Sequence, residues 1–305
     1  MRKRLFHSLS TGLWMLVAFA SQVLVAQMDF AVIGDAGALT SGSKTVRESI
    51  HRKSVQWLIL PGDNLYEGTY AKIWNPWTSL GMTFAAVALG NHKQSYAEER
   101  AFFSLPEEFY EKKMGAAQFI VLNSDNTHRS AEQSAWLEGV LAATESPYVF
   151  LVYHHPSYTV SSFHTWEEKR AFQLTIRPLL LKYRSKITAL LVGHDHLATL
   201  LHFDDLPVVL SGAVQDVRLD KGVDYVDTTN PQHPIHVKTA WYYDHKAYWA
   251  QLSIPQPGQD PEGSVASVHF TRAADDFRSC SATLRTGKRL ELAPNCLTAP
   301  PRLPQ

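Results

Sequence analysis

The sequence has few cysteines, no net charge and few long apolar runs, and each of these features excludes some classes of protein. Its 305 residues carry 29 basic and 29 acidic side chains, so the formal charge at pH 7 is +0. A nucleic-acid-binding surface needs clustered basic residues, and the composition indicates none. No second long apolar stretch follows the N-terminal one, so we expect the mature chain to be soluble.

The first 26 residues have the pattern of a signal peptide. Arg2, Lys3 and Arg4 precede an apolar run over residues 13–20, and a second run covers residues 23–26. A membrane-spanning helix needs about 20 apolar residues, so this run is short for one. We therefore predict a signal peptide over residues 1–26 and a mature protein that is secreted or extracytoplasmic (periplasm, cell exterior or an endomembrane lumen). An uncleaved anchor is the alternative.

The two cysteines, Cys280 and Cys296, can form one disulfide at most. An oxidising compartment favours their pairing, which would hold the C-terminal segment in place. Two free thiols are the alternative.

Short apolar runs alternate with polar, periodic stretches along most of the chain. The runs predict buried strands over Phe30–Ile33, Trp57–Leu60, Phe84–Leu89, Phe119–Leu122, Tyr148–Tyr153 and Ile187–Val192. The periodic stretches predict helices over Thr45–Lys53, Glu132–Ala143 and Trp166–Tyr183, the last with Pro178 as a kink or break. This alternation predicts an α/β fold with a substantial sheet, which shorter strands after residue 205 complete. Residues 27–305 are predicted to form one domain.

Polar side chains follow the ends of five predicted strands. The five blocks are Gly34-Asp35-Ala36-Gly37, Gly62-Asp63-Asn64-Leu65-Tyr66, Gly90-Asn91-His92, His154-His155-Pro156 and Gly193-His194-Asp195-His196. In open α/β sheets, ligands bind beyond the carboxyl ends of the strands. A single Gly-Asp pair is ordinary turn chemistry, whereas five such blocks in this order indicate a site with more ligands than one metal needs.

The five blocks resemble those of the calcineurin-like metallophosphoesterases and, within them, the purple acid phosphatases. The resemblance covers roughly residues 29–215, and two features carry its finer part. Gly37 stands where most of the superfamily has a ligand histidine, and Tyr66, three residues after Asp63, substitutes for that histidine. The resemblance implies an α/β metallophosphoesterase fold, which is a four-layer sandwich of two mixed β-sheets flanked by helices.

The resemblance also implies a role for each side chain of the blocks. The first metal would be held by Asp35, Tyr66 and His196, the second by Asn91, His154 and His194, and Asp63 would bridge the two. His92 and His164 would face the substrate as catalytic residues, and His155 would pack behind the ligands.

These roles imply an Fe(III) ion beside a divalent Fe, Zn or Mn ion. Free tyrosine has a pKa near 10, so a trivalent ion is the natural partner for a phenolate at low pH. Such a pair would activate water as a nucleophile, and His92 would protonate the leaving alkoxide. The resemblance thus implies an acid phosphatase that hydrolyses small phosphate monoesters. Because only the N-terminal segment has a long apolar run, we expect no stable membrane association after signal cleavage.

Two other functions stay open at this point. One is a phosphodiesterase or nucleotide pyrophosphatase with the same metals, and the other is a catalytically silent binding or scaffold relative. The third block also departs from the family pattern, because Lys93 stands where an acid is usual. Lys93 could lower the pKa of His92 or help attract phosphate, and the alternative is an exposed lysine without a role.

Overall fold

The computed structural model describes residues 27–92, 95–125, 127–161, 164–212, 224–243, 247–256 and 265–296. The predicted signal peptide and Lys93 lie outside the described residues. Within these ranges, no helix has both the length and the apolar character that crossing a membrane requires.

Fifteen strands occur in the described part of the chain. They are β1 (Gln27–Val32), β2 (Trp57–Leu60), β3 (Thr83–Val87), β4 (Tyr110–Met114), β5 (Ala117–Val121), β6 (Tyr148–Val152), β7 (Ala189–Val192), β8 (Ala198–Phe203), β9 (Leu206–Ser211), β10 (Tyr225–Asp227), β11 (Ile235–Tyr243), β12 (Tyr248–Pro255), β13 (Ala266–Arg272), β14 (Phe277–Leu284) and β15 (Glu291–Leu292).

Five α-helices accompany them in the same described ranges. They are α1 (Ser41–Arg52), α2 (Tyr70–Thr78), α3 (Tyr96–Phe103), α4 (Ser130–Ala143) and α5 (Arg170–Lys182). Short 3₁₀ turns cover Thr127–Arg129, Trp166–Lys169, Arg184–Lys186 and Pro294–Cys296.

The strands form two mixed sheets. In the described residues, the first sheet has the order β15-β14-β13-β12-β1-β2-β3 and the second the order β10-β11-β8-β9-β7-β6-β5-β4. Strands β1, β2 and β3 are parallel in the first sheet, and β5, β6, β7 and β9 are parallel in the second. The remaining pairs are antiparallel. Parallel neighbours bring their carboxyl ends to one edge of each sheet, which is where polar groups can collect.

Side-chain alternation along the strands separates three apolar layers. Phe30 of β1 faces the second sheet and meets Phe119 of β5 edge to face, with 5.1 Å between ring centroids. The neighbouring side chain of Ala31 faces the opposite way and packs with α1 and α2. A third cluster lies between the second sheet, α4 and α5. The layers are therefore helix, sheet, sheet and helix, which is the predicted four-layer sandwich of two mixed sheets flanked by helices.

The predicted helix over residues 166–183 is a 3₁₀ turn followed by α5, and α5 continues through Pro178 without a break. Proline removes one backbone hydrogen bond, that to the carbonyl of Leu174. Leu174 is 45% exposed, so water can reach this side of the helix and bind that carbonyl instead.

Of the two alternatives for the cysteines, the structure contains the disulfide Cys280–Cys296.

Candidate metal centre

The predicted ligands lie in five loops at the carboxyl ends of parallel strands from both sheets. The loops after β1 and β2 are joined by backbone hydrogen bonds, because Asp35 N–H donates to Gly62 O at 3.1 Å and Gly37 N–H donates to Asp63 O at 3.0 Å. The two sheets meet at the same place, where Gly34 N–H donates to Ser211 O at 2.7 Å. These bonds hold the loops rigidly against one another.

Asp35, Tyr66 and His196 form one compact group of donors. The Tyr66 hydroxyl lies 3.2 Å from Asp35 Oδ1 and 3.0 Å from His196 Nε2. His196 Nε2 is 3.4 Å from Asp35 Oδ1, so the three atoms form a nearly equilateral triangle. These are the three side chains expected to share the first metal.

Asn91, His154 and His194 form a second group. His154 Nε2 lies 3.0 Å from Asn91 Oδ1 and 3.2 Å from His194 Nδ1. The Nδ1 atom of His154 is 2.9 Å from the Pro61 carbonyl oxygen, which is placed to accept a hydrogen bond from Nδ1–H. The lone pair on Nε2 then points toward the group and can bind a metal. These are the three side chains expected to share the second metal.

Asp63 lies between the two groups, with one carboxylate oxygen toward each. Its Oδ2 accepts from the Tyr66 hydroxyl at 2.9 Å, and its Oδ1 is 3.2 Å from His154 Nε2. The same Oδ1 accepts from the His92 backbone N–H at 2.9 Å, which fixes the carboxylate in this orientation. A single carboxylate therefore joins the two donor groups.

These spacings fit a pair of cations. Oxygen and nitrogen donors bound at about 2.0–2.2 Å to one cation lie about 3.0–3.5 Å from one another, and the separations within each group match. Asp35, Asp63 and His154 also offer donor atoms that all lie within 4.8 Å of one another, and all three side chains are buried. Burying two carboxylates this close is costly unless positive charge lies between them.

The electrostatics of the protein groups favour positive charge at this place. Burial, followed by Asp35 and Asp63, raises the pKa of Tyr66 far above its ordinary value, so the phenol stays protonated without a cation. Burial opposes the charge on Asp63 and on His154, yet their attraction outweighs it. This attraction raises the pKa of His154 to about 9 and holds that of Asp63 well below its usual range. A proton on His154 thus neutralises the carboxylate that a cation would neutralise.

The backbone is strained at four of the seven predicted ligands. Asp35, Asp63, His194 and His196 have φ values of 59°, 53°, 74° and 50°, which is the left-handed region that side-chain-bearing residues seldom adopt. Strain of this kind costs on the order of 1–3 kcal/mol per residue and clusters at functional sites. The sequence motifs gave no indication of it.

Two glycines let these loops approach one another. A Cβ at Gly90 would lie 2.2 Å from Asp63 N and Oδ1, and a Cβ at Gly37 would lie 2.3 Å from Leu65 N. No side chain fits at residue 37 without a backbone shift. This explains physically why a ligand histidine is absent there and why the phenol of Tyr66 reaches the cluster from the next loop.

The two histidines expected to face the substrate lie beside different donor groups. The exposed ring of His92 packs on Tyr66, with 4.4 Å between ring centroids. The ring of His164 lies 4.0 Å from that of His194. The loops thus bring both rings beside the donor groups, one next to each group.

His155 packs against the ligand histidines, with its ring centroid 4.8 Å from that of His154 and 4.4 Å from that of His194. His154, His155 and His194 each offer a ring nitrogen, and the three nitrogens lie within 4.8 Å of one another. The Nδ1 atom of His155 is 2.8 Å from Ser124 Oγ, and its side chain is buried. Burial, followed by the charges of His154 and His194, lowers the pKa of His155 well below its ordinary value, so its ring is neutral.

Glu168 is the residue at this site that the motifs missed. Its Oε2 lies 3.0 Å from His194 Nε2 and its Oε1 lies 3.1 Å from His164 Nδ1. The available signal was the spacing Thr165-x-x-Glu168, which predicts a helix cap and not a contact with a ligand.

The comparison with known families agrees with the fold and the motifs. The sequence profile of the calcineurin-like phosphoesterase family matches residues 28–198, which is more than half of the chain. The protein belongs to this family of metal-dependent phosphoesterases.

Its relatives include purple acid phosphatases. Purple acid phosphatase 21 of Arabidopsis thaliana is 24% identical over 195 residues, which cover 55% of this chain and 44% of that protein. The chain therefore aligns with less than half the length of this relative.

Among solved structures, the purple acid phosphatase PPD1 of yellow lupin superposes with a TM-score of 0.64 at 14% identity, over 85% of this chain and 54% of that one. GAP50, described as the anchor in the inner membrane complex of Plasmodium, superposes with a TM-score of 0.63 at 15% identity, over 86% and 90% of the two chains. These likenesses establish the fold.

Proposed function

We propose that this protein is an acid phosphatase that hydrolyses phosphate monoesters at a binuclear Fe(III)–M(II) centre. The observation that carries the proposal is the position of Asp63, whose two oxygens face two separate donor groups, one of which contains a tyrosine hydroxyl. A shared carboxylate between two complete donor groups is the geometry that a two-metal hydrolase requires.

The tyrosine supports iron in the first position. The hydroxyl of Tyr66 lies within 3.2 Å of Asp35 and Asp63, so its ionisation places a third negative charge beside two others. A trivalent ion offsets this charge better than a divalent ion does. The second group contains two imidazoles and an amide, donors that suit a divalent Fe, Zn or Mn ion.

The metal pair would supply Lewis acidity toward a phosphoryl oxygen and toward water. The residues of the chain supply the rest. His92 is exposed, and its ring lies against Tyr66, where it can donate a proton to the leaving alkoxide. His164 stands beside the second group, where its ring can bind a phosphoryl oxygen. Asp63 is held by the His92 backbone N–H, so the two donor groups keep their spacing during the reaction.

The disulfide and the N-terminal sequence support an extracytoplasmic location. Cys280 and Cys296 are bonded, and disulfides persist mainly in oxidising compartments. We propose that residues 1–26 are a cleaved signal peptide and that residues 27–305 are one mature phosphatase domain. A small phosphate ester is the proposed partner.

The experiment must separate the proposed activity from two alternative functions. The family fold also occurs in phosphodiesterases and in proteins described by other roles, such as the anchor GAP50. The protein loaded with iron and zinc should be assayed with p-nitrophenyl phosphate and bis(p-nitrophenyl) phosphate between about pH 4 and pH 8, the range in which a metal-bound water can ionise. We expect faster turnover of the monoester, with an acidic optimum.

Faster turnover of the diester would identify a phosphodiesterase instead. Turnover of neither ester by protein that holds both metals would identify a catalytically silent relative.

A further inference from the structure

One carboxylate connects a predicted metal ligand with the histidine predicted to face the substrate. Glu168 Oε2 lies 3.0 Å from His194 Nε2, while Oε1 lies 3.1 Å from His164 Nδ1. The ring of His194 uses its other nitrogen, Nδ1, toward the second donor group. Each oxygen of the glutamate thus holds a different imidazole.

The local fold explains how the carboxylate reaches this position. Glu168 is the third residue of the turn Trp166–Lys169, and its Oε1 also accepts from the Thr165 backbone N–H at 3.2 Å. This reciprocal cap starts the segment that leads into α5. A cap alone uses one oxygen, so the contact of Oε2 with His194 is not explained by capping.

The tautomer of His194 depends on this contact. An imidazole that binds a cation through Nδ1 must carry its proton on Nε2, and Glu168 Oε2 is placed to accept that proton. A carboxylate behind a ligand histidine fixes the ring and makes its donor nitrogen more basic. The same carboxylate holds the ring of His164 at 4.0 Å from that of His194.

We propose that Glu168 is a positioning residue that orients His194 toward the second metal and His164 toward the substrate. The proposal rests on the binuclear centre proposed above. It does not require the substrate to be a monoester.

The neighbouring Glu167 offers a matched control. It lies on the same turn and pairs with Arg170 at 3.3 Å, and its side chain is 63% exposed. Substituting it removes the same charge from the same turn without touching either histidine. Comparison of Glu168→Gln with Glu167→Gln therefore separates the contact with His194 from the effect of charge near the site.

The test measures metal binding and does not rely on turnover. Glutamine serves as well as glutamate in the cap, so Glu168→Gln is expected to fold. Protein already loaded with iron would be titrated with Zn(II), and the dissociation constant of the second site would be measured by calorimetry. We expect Glu168→Gln to weaken Zn(II) binding about 10–100-fold, which is typical for loss of a partner behind a ligand histidine. Glu167→Gln should bind Zn(II) as the wild type does. The charge-transfer band expected if the Tyr66 phenolate binds Fe(III) should stay unchanged in both variants.

Unchanged Zn(II) affinity in folded Glu168→Gln would overturn the proposal, and so would an equal loss in Glu167→Gln. If Glu168→Gln does not fold, Glu168→Asp takes its place: its shorter carboxylate should weaken binding as well, and wild-type affinity in this variant would contradict the role.

If the wild type binds two metals yet turns over neither ester, the proposed function fails while this comparison still decides the role of Glu168. A wild type that binds no second metal would overturn both.

Discussion

The regions of parallel and of antiparallel strands differ in what they contribute to the candidate site. The seven predicted ligands lie between residues 35 and 196, in loops that follow the parallel strands β1, β2, β3, β6 and β7. From β8 onward, pairing is mostly antiparallel, and this region contributes none of the predicted site residues. It instead completes both sheets and contains the disulfide Cys280–Cys296.

This difference explains why the predicted ligands lie together at one edge of the molecule. Parallel neighbours end on the same side, so short loops from separate strands converge there. Antiparallel neighbours alternate in direction, and their hairpins scatter over both ends of a sheet. Changes in the two regions should therefore have separable effects: activity and metal binding in the first, and the free energy of unfolding in the second.

The largest effect is expected from Asp63→Asn. Asparagine keeps the volume but removes the charge and one acceptor oxygen, so the two donor groups lose their common ligand. We expect kcat/KM for a monoester to fall at least roughly 10³-fold, which is about 4 kcal/mol of transition-state stabilisation. Steady-state kinetics with metal analysis measures this.

The matched control is Asp205→Asn. Asp205 is an exposed acid of the antiparallel region that pairs with Arg289 at 3.4 Å. The substitution Asp205→Asn should leave kcat/KM unchanged. If kcat/KM of Asp63→Asn stayed within tenfold of the wild-type value, the bridging role of Asp63 would be ruled out.

The second effect concerns the disulfide. Replacing both cysteines by serine should lower the free energy of unfolding by about 3 kcal/mol, because the bond closes a loop with a sequence separation of 16. Denaturant titration measures the loss. We expect kcat/KM at 25 °C to stay at the wild-type value. If the folded variant also lost activity, the antiparallel region would support the site directly.

The third effect is acid sensitivity in the antiparallel region. Burial, followed by the charges of Arg278 and Lys53, lowers the pKa of His269 to about 3, whereas an unfolded histidine titrates near 6.5. The unfolded state therefore binds more protons between these values, and stability falls as the pH falls below about 6.5. The contribution is on the order of 2 kcal/mol by pH 5.

Denaturant titrations at pH 7 and pH 5 test this effect. His269→Gln should flatten the loss between the two pH values, while His233→Gln, at an exposed position, should not. An unchanged slope in His269→Gln would show that other groups cause the acid sensitivity of the protein.

Sequence patterns predicted the parallel region better than the antiparallel one. Strand β2 was predicted to the residue, since the apolar run Trp57–Leu60 is followed at once by Pro61 and Gly62. Helix α2 was missed because Pro76 and two tryptophans obscure its period, although its buried face is regular. Strand β14 has few apolar residues, because buried side chains alternate with partly exposed ones along its second half and its first two residues are exposed.

The sequence indicated which side chains converge at the candidate site, but not the geometry in which they do so. The family resemblance of the motifs implied the seven side chains, and the fold brings all of them together. The resemblance did not indicate the positive φ values at Asp35 and His194, since strain depends on how loops pack. It also left out Glu168, because a contact with His194 across 26 residues has no local signature.

The most direct test of the central claim is the visible spectrum of the iron-loaded protein with Tyr66 intact and with Tyr66→Phe. If the phenol binds Fe(III), the wild type should show a tyrosinate-to-iron charge-transfer band, and Tyr66→Phe should lose the band while it retains iron. A band of the same intensity in Tyr66→Phe would contradict the account, as would a wild type that binds iron without any such band.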